Sequence, residues 1–68
     1  MENIIIIFGL KIRELRKQKK YSQEQLANLA SINKSYISQI ENGKTKVSVE
    51  IINKLAKALE IEMHKLFE

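Results

Sequence analysis

The chain has 68 residues, a net charge of +4, no cysteine and no proline. A domain near this size buries only about 60% of the surface that its unfolded chain exposes, so we expect a single domain over residues 1–68. The absence of cysteine excludes disulfides and thiolate metal sites, and it favours a reducing compartment.

The composition also argues against an enzyme. The chain has one histidine and no aspartate, and it offers no nucleophile–base pair and no glycine-rich phosphate loop. His64 stands alone, so we interpret it as a surface residue rather than a metal ligand. We therefore expect no enzymatic activity, no bound metal and no other cofactor.

Positive charge is concentrated in the middle of the chain. Residues 11–46 carry nine Lys or Arg and three Glu, a net charge of +6, whereas the remaining residues carry a net charge of −2. Segregation of this kind predicts a polyanionic partner for one side of the protein. A lysine-rich surface that is merely solvated is the alternative interpretation.

The N-terminal run IIIIF is the only candidate targeting segment. It has no basic stretch before it and no small-residue cleavage pattern after it. Its length also falls far short of the roughly 20 apolar residues that span a bilayer. We therefore expect a soluble, cytoplasmic protein without a membrane partner.

The apolar periodicity is helical throughout and predicts an all-α fold. The first helix is expected over about residues 5–18, with Phe8, Ile12 and Leu15 on one face and the basic sequence KIRELRKQKK beside it. Ser22 then caps a second helix. Gln25, three residues later, completes a capping box.

A third helix is expected within the sequence NKSYISQIENG, residues 33–43. Asn33 is its N-cap and Gly43 fits the left-handed position that ends a helix. Ile37 and Ile40 are the residues that we assign to packing. The helix therefore has little to bury, and its remaining side chains are polar.

Two more helices complete the predicted five. Ser48 caps the fourth, VEIINKLAKALE, and a short fifth helix begins near residue 62. The fourth helix has an apolar stripe of Ile52, Leu55, Ala56 and Leu59, and the fifth contributes the apolar residues Met63, Leu66 and Phe67.

The second and third helices have the spacing of a helix-turn-helix over residues 23–42. In that motif the first helix crosses the phosphate backbone and the second enters the major groove, which is about 12 Å wide. The outward side chains of the third helix suit this role because they are polar and can reach base edges. They are Lys34, Ser35, Ser38 and Gln39.

The segments GLKIRELRKQKKYSQEQLA, SYISQIENGKTK and LAKALEIEMHKLF together resemble the Cro/C1-type (Xre-like) helix-turn-helix regulators. That family includes lambdoid phage repressors and restriction-modification controller proteins. The resemblance covers about residues 8–67 and implies a compact, five-helix, lambda-repressor-like domain of bacterial or phage origin that binds double-stranded DNA.

The resemblance also implies a role for individual residues. The positions that match base-reading or flanking residues are Lys34, Ser35, Tyr36, Ser38 and Gln39. The positions that match phosphate contacts are Gln23, Arg16, Asn42, Lys44, Thr45 and Lys46. Arg16 and Glu41 further match a pair of opposite charges that ties the first helix to the third.

Each of these roles has a simpler alternative. Gln39 would be an ordinary solvated residue, and Tyr36 would pack its ring on the edge of the core. An exposed Arg16–Glu41 pair would contribute only about 0–1 kcal/mol to stability.

Two residues depart from the family pattern. Lys20 and Ser31 stand where the family usually has glycine. If the backbone at these positions keeps a positive φ, each non-glycine residue costs about 1 kcal/mol. We therefore expect the motif to form, at reduced stability.

A dimer interface is predicted from apolar residues with no clear place in the core. Ile6 and Leu10 lie on a face distinct from that of Phe8, and the C-terminal part adds Ile61, Met63 and Phe67. The resemblance favours the C-terminal helix for this contact, and the isoleucine run at residues 4–7 either adds to it or completes the core. A two-fold dimer would read half-sites about 34 Å apart.

Two functions remain open. The first is a homodimeric transcriptional regulator of the controller or repressor type, which binds a pseudo-palindromic operator. It would be autoregulatory and take no small-molecule ligand, because the sequence shows no sensing domain. The second is an antitoxin-like or other protein-interaction module in which DNA binding is secondary. RNA binding is disfavoured, because no exposed aromatic platform accompanies the basic residues.

Overall fold

In the computed structural model, which describes residues 3–67, the chain forms four α-helices and one 3-10 helix. They are α1 (Ile4–Gln18), α2 (Gln23–Ala30), α3 (Lys34–Glu41), α4 (Val49–Ala58) and the 3-10 helix Met63–Phe67. The predicted all-α fold is confirmed. The fifth helix is 3-10 rather than α, and its five residues are consistent with the short lengths in which 3-10 helices occur. No helix within residues 3–67 is long and apolar enough to cross a membrane.

The helices begin where polar side chains satisfy their first backbone N–H groups. Ser22, Asn33 and Ser48 each accept a hydrogen bond from an N–H two or three residues further along. The Gln25 side chain also accepts from the Ser22 N–H at 2.7 Å, which completes the predicted capping box. Local sequence therefore sets these three helix starts.

One hydrophobic core joins all five elements. Each element contributes at least one side chain that is 1% exposed or less, namely Ile12, Leu26, Ile37, Leu55 and Leu66. Burial of an aliphatic side chain of this size contributes about 1.5–3 kcal/mol. These residues hold α3 to the rest of the domain, and the most extensive contact between two of the described helices is that of α1 with α3.

Both glycines of the chain lie at the crossing of α1 and α3. A Cβ on Gly9 would overlap the carbonyl oxygen of Ile40 and lie 3.2 Å from that of Glu41. Gly43 has a φ of +68°, and a Cβ there would lie 2.7 Å from Cγ1 of Ile6. The two glycines therefore allow α1 to lie directly against the C-terminal end of α3.

Among residues 3–67, three non-glycine residues adopt left-handed backbone conformations. Lys20 and Ser31 have φ values of 62° and 56°, which confirms the strain expected at these positions. Glu60 also has a φ of 56°, which the sequence did not indicate. Each lies just beyond the C-terminal end of a helix, where glycine is the usual residue because it has no Cβ.

Replacing Lys20 by glycine should raise the melting temperature. The substitution removes a left-handed strain of about 1 kcal/mol, and 1 kcal/mol corresponds to roughly 4–8 °C in a domain of this size. Lys17→Gly is the matched control, because it removes the same charge from a helical position in the last turn of α1, where glycine is unfavourable, and it should lower the melting temperature. Thermal unfolding followed by circular dichroism measures both, and an unchanged or lowered value for Lys20→Gly would contradict the prediction.

Candidate nucleic-acid interface

The predicted helix-turn-helix is formed by α2, the turn at residues 31–33 and α3. Ser31 takes the left-handed conformation at the end of α2, and the Ile32 N–H donates to the Ala27 carbonyl at 2.9 Å. Asn33 then caps α3. Ile37 and Ile40 are fully buried beneath α3, so its opposite face is turned to solvent.

The outward face of α3 carries the predicted base-reading residues. Lys34, Ser35 and Gln39 are exposed, and Ser38 is half-buried. Lys suits the O6 and N7 acceptors of guanine, and Gln can bond the N6 and N7 atoms of adenine. This face is therefore chemically able to read base edges in the major groove.

Tyr36 lies differently from its neighbours on α3. Its ring is half-buried against the core, and its hydroxyl donates to the Lys46 carbonyl oxygen at 3.0 Å. The ring of Tyr36 therefore packs on the edge of the core, which was the alternative to a DNA contact. Its hydroxyl fixes the loop after α3, while a base or flanking contact stays a prediction.

The loop after α3 extends the basic surface beyond that helix, which as the second helix of the motif is called the recognition helix. Asn42, Lys44 and Lys46 are exposed, and Thr45 is half-buried. The Lys44 N–H donates to the Gln39 carbonyl at 2.9 Å, so the loop folds back on the end of α3. The four predicted phosphate contacts therefore form one continuous stretch next to the base-reading face.

The carboxylate of Glu41 is buried at the centre of a polar cluster. It accepts hydrogen bonds from Arg16 Nε at 2.7 Å and Arg16 Nη2 at 3.0 Å. Gln23 Nε2 donates to it at 3.2 Å and Arg13 Nε at 3.4 Å. The predicted link between Arg16 and Glu41 is present, and the cluster also attaches α2 to α3.

This cluster lowers the pKa of the Glu41 carboxyl below its usual range. Burial acts in the opposite direction and would raise that pKa, but the hydrogen bonds from Arg16, Gln23 and Arg13 and the charge of Arg16 outweigh it. The hydrogen bond between Arg16 and Glu41 also raises the pKa of Arg16. Both groups are therefore charged at neutral pH, and the charges are paired.

The cluster constrains two of the predicted phosphate contacts. Arg16 donates through Nε and Nη2 to Glu41 and through Nη1 to the Tyr21 carbonyl at 2.9 Å, and its side chain is 11% exposed. The Gln23 side chain is directed at Glu41 as well. Their phosphate contacts stay predictions, and the Gln23 backbone N–H at the start of α2 is better placed for one than its amide.

A helix-turn-helix family profile matches residues 12–66 of the chain. The chain belongs to the helix-turn-helix family. It is 40% identical over 67 residues to control protein C.BamHI of Bacillus amyloliquefaciens, with 97% of this chain and 83% of that protein covered. It is 41% identical over 68 residues to control protein C.MunI of Mycoplasma sp, with 98% and 92% covered.

Solved structures of this helix-turn-helix family agree with the fold. The restriction-modification controller protein C.AhdI from Aeromonas hydrophila matches with a TM-score of 0.92 at 45% identity, over 94% of this chain and 97% of that chain. SinR, solved in complex with DNA, matches with a TM-score of 0.83 at 37% identity, over 90% and 98%. The resemblance to Cro/C1-type regulators is confirmed, and with it the predicted class of function, a DNA-binding transcriptional regulator.

Two residues that position the helix-turn-helix were not identified from the sequence. Arg13 donates to both Glu41 and the Asn42 side chain, and Gly9 permits the close approach of α1 to α3. Each residue has a sequence feature that could have identified it. Arg13 lies one helical turn before Arg16 and therefore on the same face of α1. Gly9 lies inside a helix, where glycine is less favourable than alanine by roughly 0.5–1 kcal/mol. A glycine at such a position indicates a close packing contact.

The predicted dimer residues divide into two groups in this helix-turn-helix domain. Ile61 and Met63 are half-buried against the core. Ile6, Leu10 and Phe67 are exposed, together with Ile4 and Ile7 of the isoleucine run. The isoleucine run at residues 4–7 therefore lies largely at the surface and does not complete the core.

Some of these apolar side chains line a shallow groove of about 250 Å³. Ile4, Ile7 and Leu10 of α1 form one side, and Phe67 forms the other. The Phe67 ring stacks on Phe8 with a centroid distance of 5.6 Å. Lys11 and Glu14 also line the groove, so both signs of charge border its apolar floor.

Replacing Glu41 by glutamine should destabilise the domain at neutral pH by about 3 kcal/mol, because it leaves Arg16 poorly paired in a buried site. The stability that Glu41 contributes is present above pH 4.5, its ordinary pKa, and is lost as the pH falls through its lowered folded-state pKa. Wild-type stability should therefore fall more steeply below pH 4.5 than that of Glu41→Gln. Urea unfolding from pH 7 to pH 3 measures both.

Glu24→Gln serves as the matched control for this experiment, because Glu24 is an exposed glutamate of α2 outside both the Glu41 cluster and the groove. Its stability should follow that of the wild type at every pH. Parallel pH profiles for the wild type and Glu41→Gln would contradict the assignment of a depressed pKa to Glu41.

Proposed function

We propose that this helix-turn-helix protein is a non-enzymatic, cytoplasmic, homodimeric transcriptional regulator that binds a pseudo-palindromic operator and controls its own promoter among others. The observation that carries the proposal is the division of α3 into two faces. Ile37 and Ile40 hold one face in the core, while Lys34, Ser35 and Gln39 stand exposed on the other. A short helix with these properties fits the major groove.

The two parts of the interface contribute differently to binding. Side chains of α3 approach base edges and supply sequence preference, with each good pairing worth about 1–3 kcal/mol of discrimination. Lys44, Lys46 and Asn42 in the loop face the phosphate backbone and supply affinity that is independent of sequence. The positive charge of residues 11–46 supports this sequence-independent contribution to affinity.

A dimer through the apolar groove would place two such interfaces side by side. The groove lies along the N-terminal two-thirds of α1, and α1 also packs against the C-terminal end of α3 at Gly9. A two-fold contact at the groove would therefore join the two copies through the helix that supports α3 in each. Lys11 of one copy can then face Glu14 of the other, because a two-fold interface presents the same patch twice.

Control by concentration follows from these features. Two proteins that are similar to this chain over nearly its whole length are named control proteins. If the domain binds its operator as a dimer, occupancy rises more steeply than protein concentration near the dissociation constant of the dimer. The protein can therefore switch a promoter, including its own, without a small-molecule ligand.

Selection from a random duplex pool should separate base contacts from phosphate contacts. Gln39→Ala should relax the preference at one base position of each half-site and reduce affinity for the selected duplex by about 1–3 kcal/mol. Lys46→Ala should weaken all duplexes about equally and reduce the salt dependence of binding. The reverse pattern would contradict the proposed sorting of these residues.

Replacing Leu10 by lysine should shift the protein from dimer to monomer and leave its helix content unchanged. The lysine would place two like charges in a groove that the proposed dimer buries. Leu29→Lys is the control, because Leu29 is exposed on α2 to a similar extent, 55% against 53% for Leu10. Sedimentation equilibrium measures both, and equal association constants for the two variants would contradict this placement of the interface.

Binding to duplex DNA as a function of salt tests the function as a whole. A plot of log affinity against log salt concentration should have a slope of about −0.9 for each phosphate that the protein neutralises. Failure to bind any duplex pool at low salt would overturn the proposal. It would favour the antitoxin-like interaction module, whose partner would occupy the exposed groove instead.

A further inference from the structure

We propose that Arg13 and Asn42 together form a binding site for a DNA phosphate at the C-terminal end of α3. The site adds Arg13 to an interface whose other predicted contacts come from Arg16 of α1 and from α2, α3 and the loop after α3. The inference rests on the proposed DNA-binding function, and it concerns which groups hold the backbone.

The site is formed by a direct contact between two helices. Arg13 Nη2 donates to Asn42 Oδ1 at 2.9 Å, and Arg13 Nε points at Glu41 Oε1 at 3.4 Å. The Arg13 side chain is 36% exposed, compared with 11% for Arg16. Of the two arginines of α1, Arg13 is therefore the one that an incoming phosphate can reach.

The orientation of the Asn42 amide follows from the chemistry of arginine. A guanidinium group only donates hydrogen bonds, so the amide atom facing Arg13 must be the oxygen. The Asn42 NH₂ group consequently points away from Arg13. Asn42 is exposed, so this NH₂ presents two donors towards solvent.

Arg13, next to Asn42, also has donors that the described residues do not use. One edge of its guanidinium is used by Glu41 and Asn42, and no bond of Nη1 to another residue is found within residues 3–67. The outer edge and the Asn42 NH₂ together present several N–H groups and a positive charge. A phosphodiester oxyanion, which accepts several hydrogen bonds, is the DNA group that fits such a site.

The site is also held in place before DNA arrives. Glu41 and Asn42 fix the guanidinium from one side, and Glu41 is itself held by Arg16. A fixed side chain loses less conformational entropy on binding than a free one. The location suits the role as well, because Asn42 directly follows α3 and precedes the basic loop residues Lys44 and Lys46.

The first test compares Arg13→Gln with Lys19→Gln by fluorescence anisotropy. The probes are a duplex that the wild-type protein selects from a random pool and an unrelated duplex of equal length. Arg13→Gln should weaken binding to both duplexes about tenfold, as expected for the loss of a hydrogen bond to a charged group. It should also reduce the salt slope by about 0.9 for each protomer bound.

Lys19→Gln removes the same charge from the end of α1, where Lys19 pairs with Glu60 away from α3. It should change affinity less and should not reproduce the loss of slope. Equal slopes for the two variants, with both folded, would overturn the proposal and leave Arg13 as a support for Glu41 alone. Failure of the wild type to bind either duplex would instead overturn the proposed function.

Asn42→Asp tests the site without breaking its internal contact. The aspartate keeps an acceptor for Arg13, so the melting temperature should be maintained, while its negative charge and lost NH₂ donors repel a phosphate. Affinity for both duplexes should fall by tenfold or more. Asn53→Asp, an exposed site on α4, makes the same chemical change, and an equal effect of the two aspartates would overturn the proposal.

Arg13→Lys provides the deciding variant if Arg13→Gln does not fold. Lysine keeps the charge but lacks the planar fork that holds Glu41 and Asn42 at once. Affinity for both duplexes should then fall several-fold while the salt slope is largely retained. Wild-type affinity in this variant would overturn the role of the guanidinium.

Discussion

The position of the recognition helix depends on one buried carboxylate. Glu41 is 2% exposed, and a charge in that position is tolerated only if it is paired and fully hydrogen-bonded. Arg16 and Arg13 reach it from α1, and Gln23 reaches it from α2. Because Glu41 is the last residue of α3, this one group ties the recognition helix to both of its neighbours.

Packing at the same crossing explains why these contacts are geometrically possible. Gly9 lets the α1 backbone approach the Ile40 carbonyl, and the left-handed Gly43 leaves room for Ile6. The arginines one and two turns after Gly9 then reach the end of α3. A side chain at either glycine would separate the helices and move the cluster as well as the recognition helix.

α1 connects the two proposed interfaces of the protein. Its N-terminal half carries Ile4, Ile7 and Leu10 on the exposed groove, and its C-terminal half carries the arginines that face α3. Such a continuous helix would fix the distance between the proposed two-fold axis at the groove and the outward face of α3. The spacing of operator half-sites would then follow from the geometry of α1 rather than from a flexible link.

The sequence by itself determined the helices, their caps, the family and the polar face of α3, because these depend on local spacing and on residues within one or two turns. It also indicated the strained residues Lys20 and Ser31. The tie between Arg16 and Glu41 was expected from the family resemblance, but only the tertiary structure decided that Arg13 bonds Asn42 and that Gly9 contacts α3. These contacts join residues more than 20 positions apart, so no local pattern encodes how deeply each arginine is buried. Helix packing decides that burial, because the depth at which α1 crosses α3 sets the exposure of each side chain.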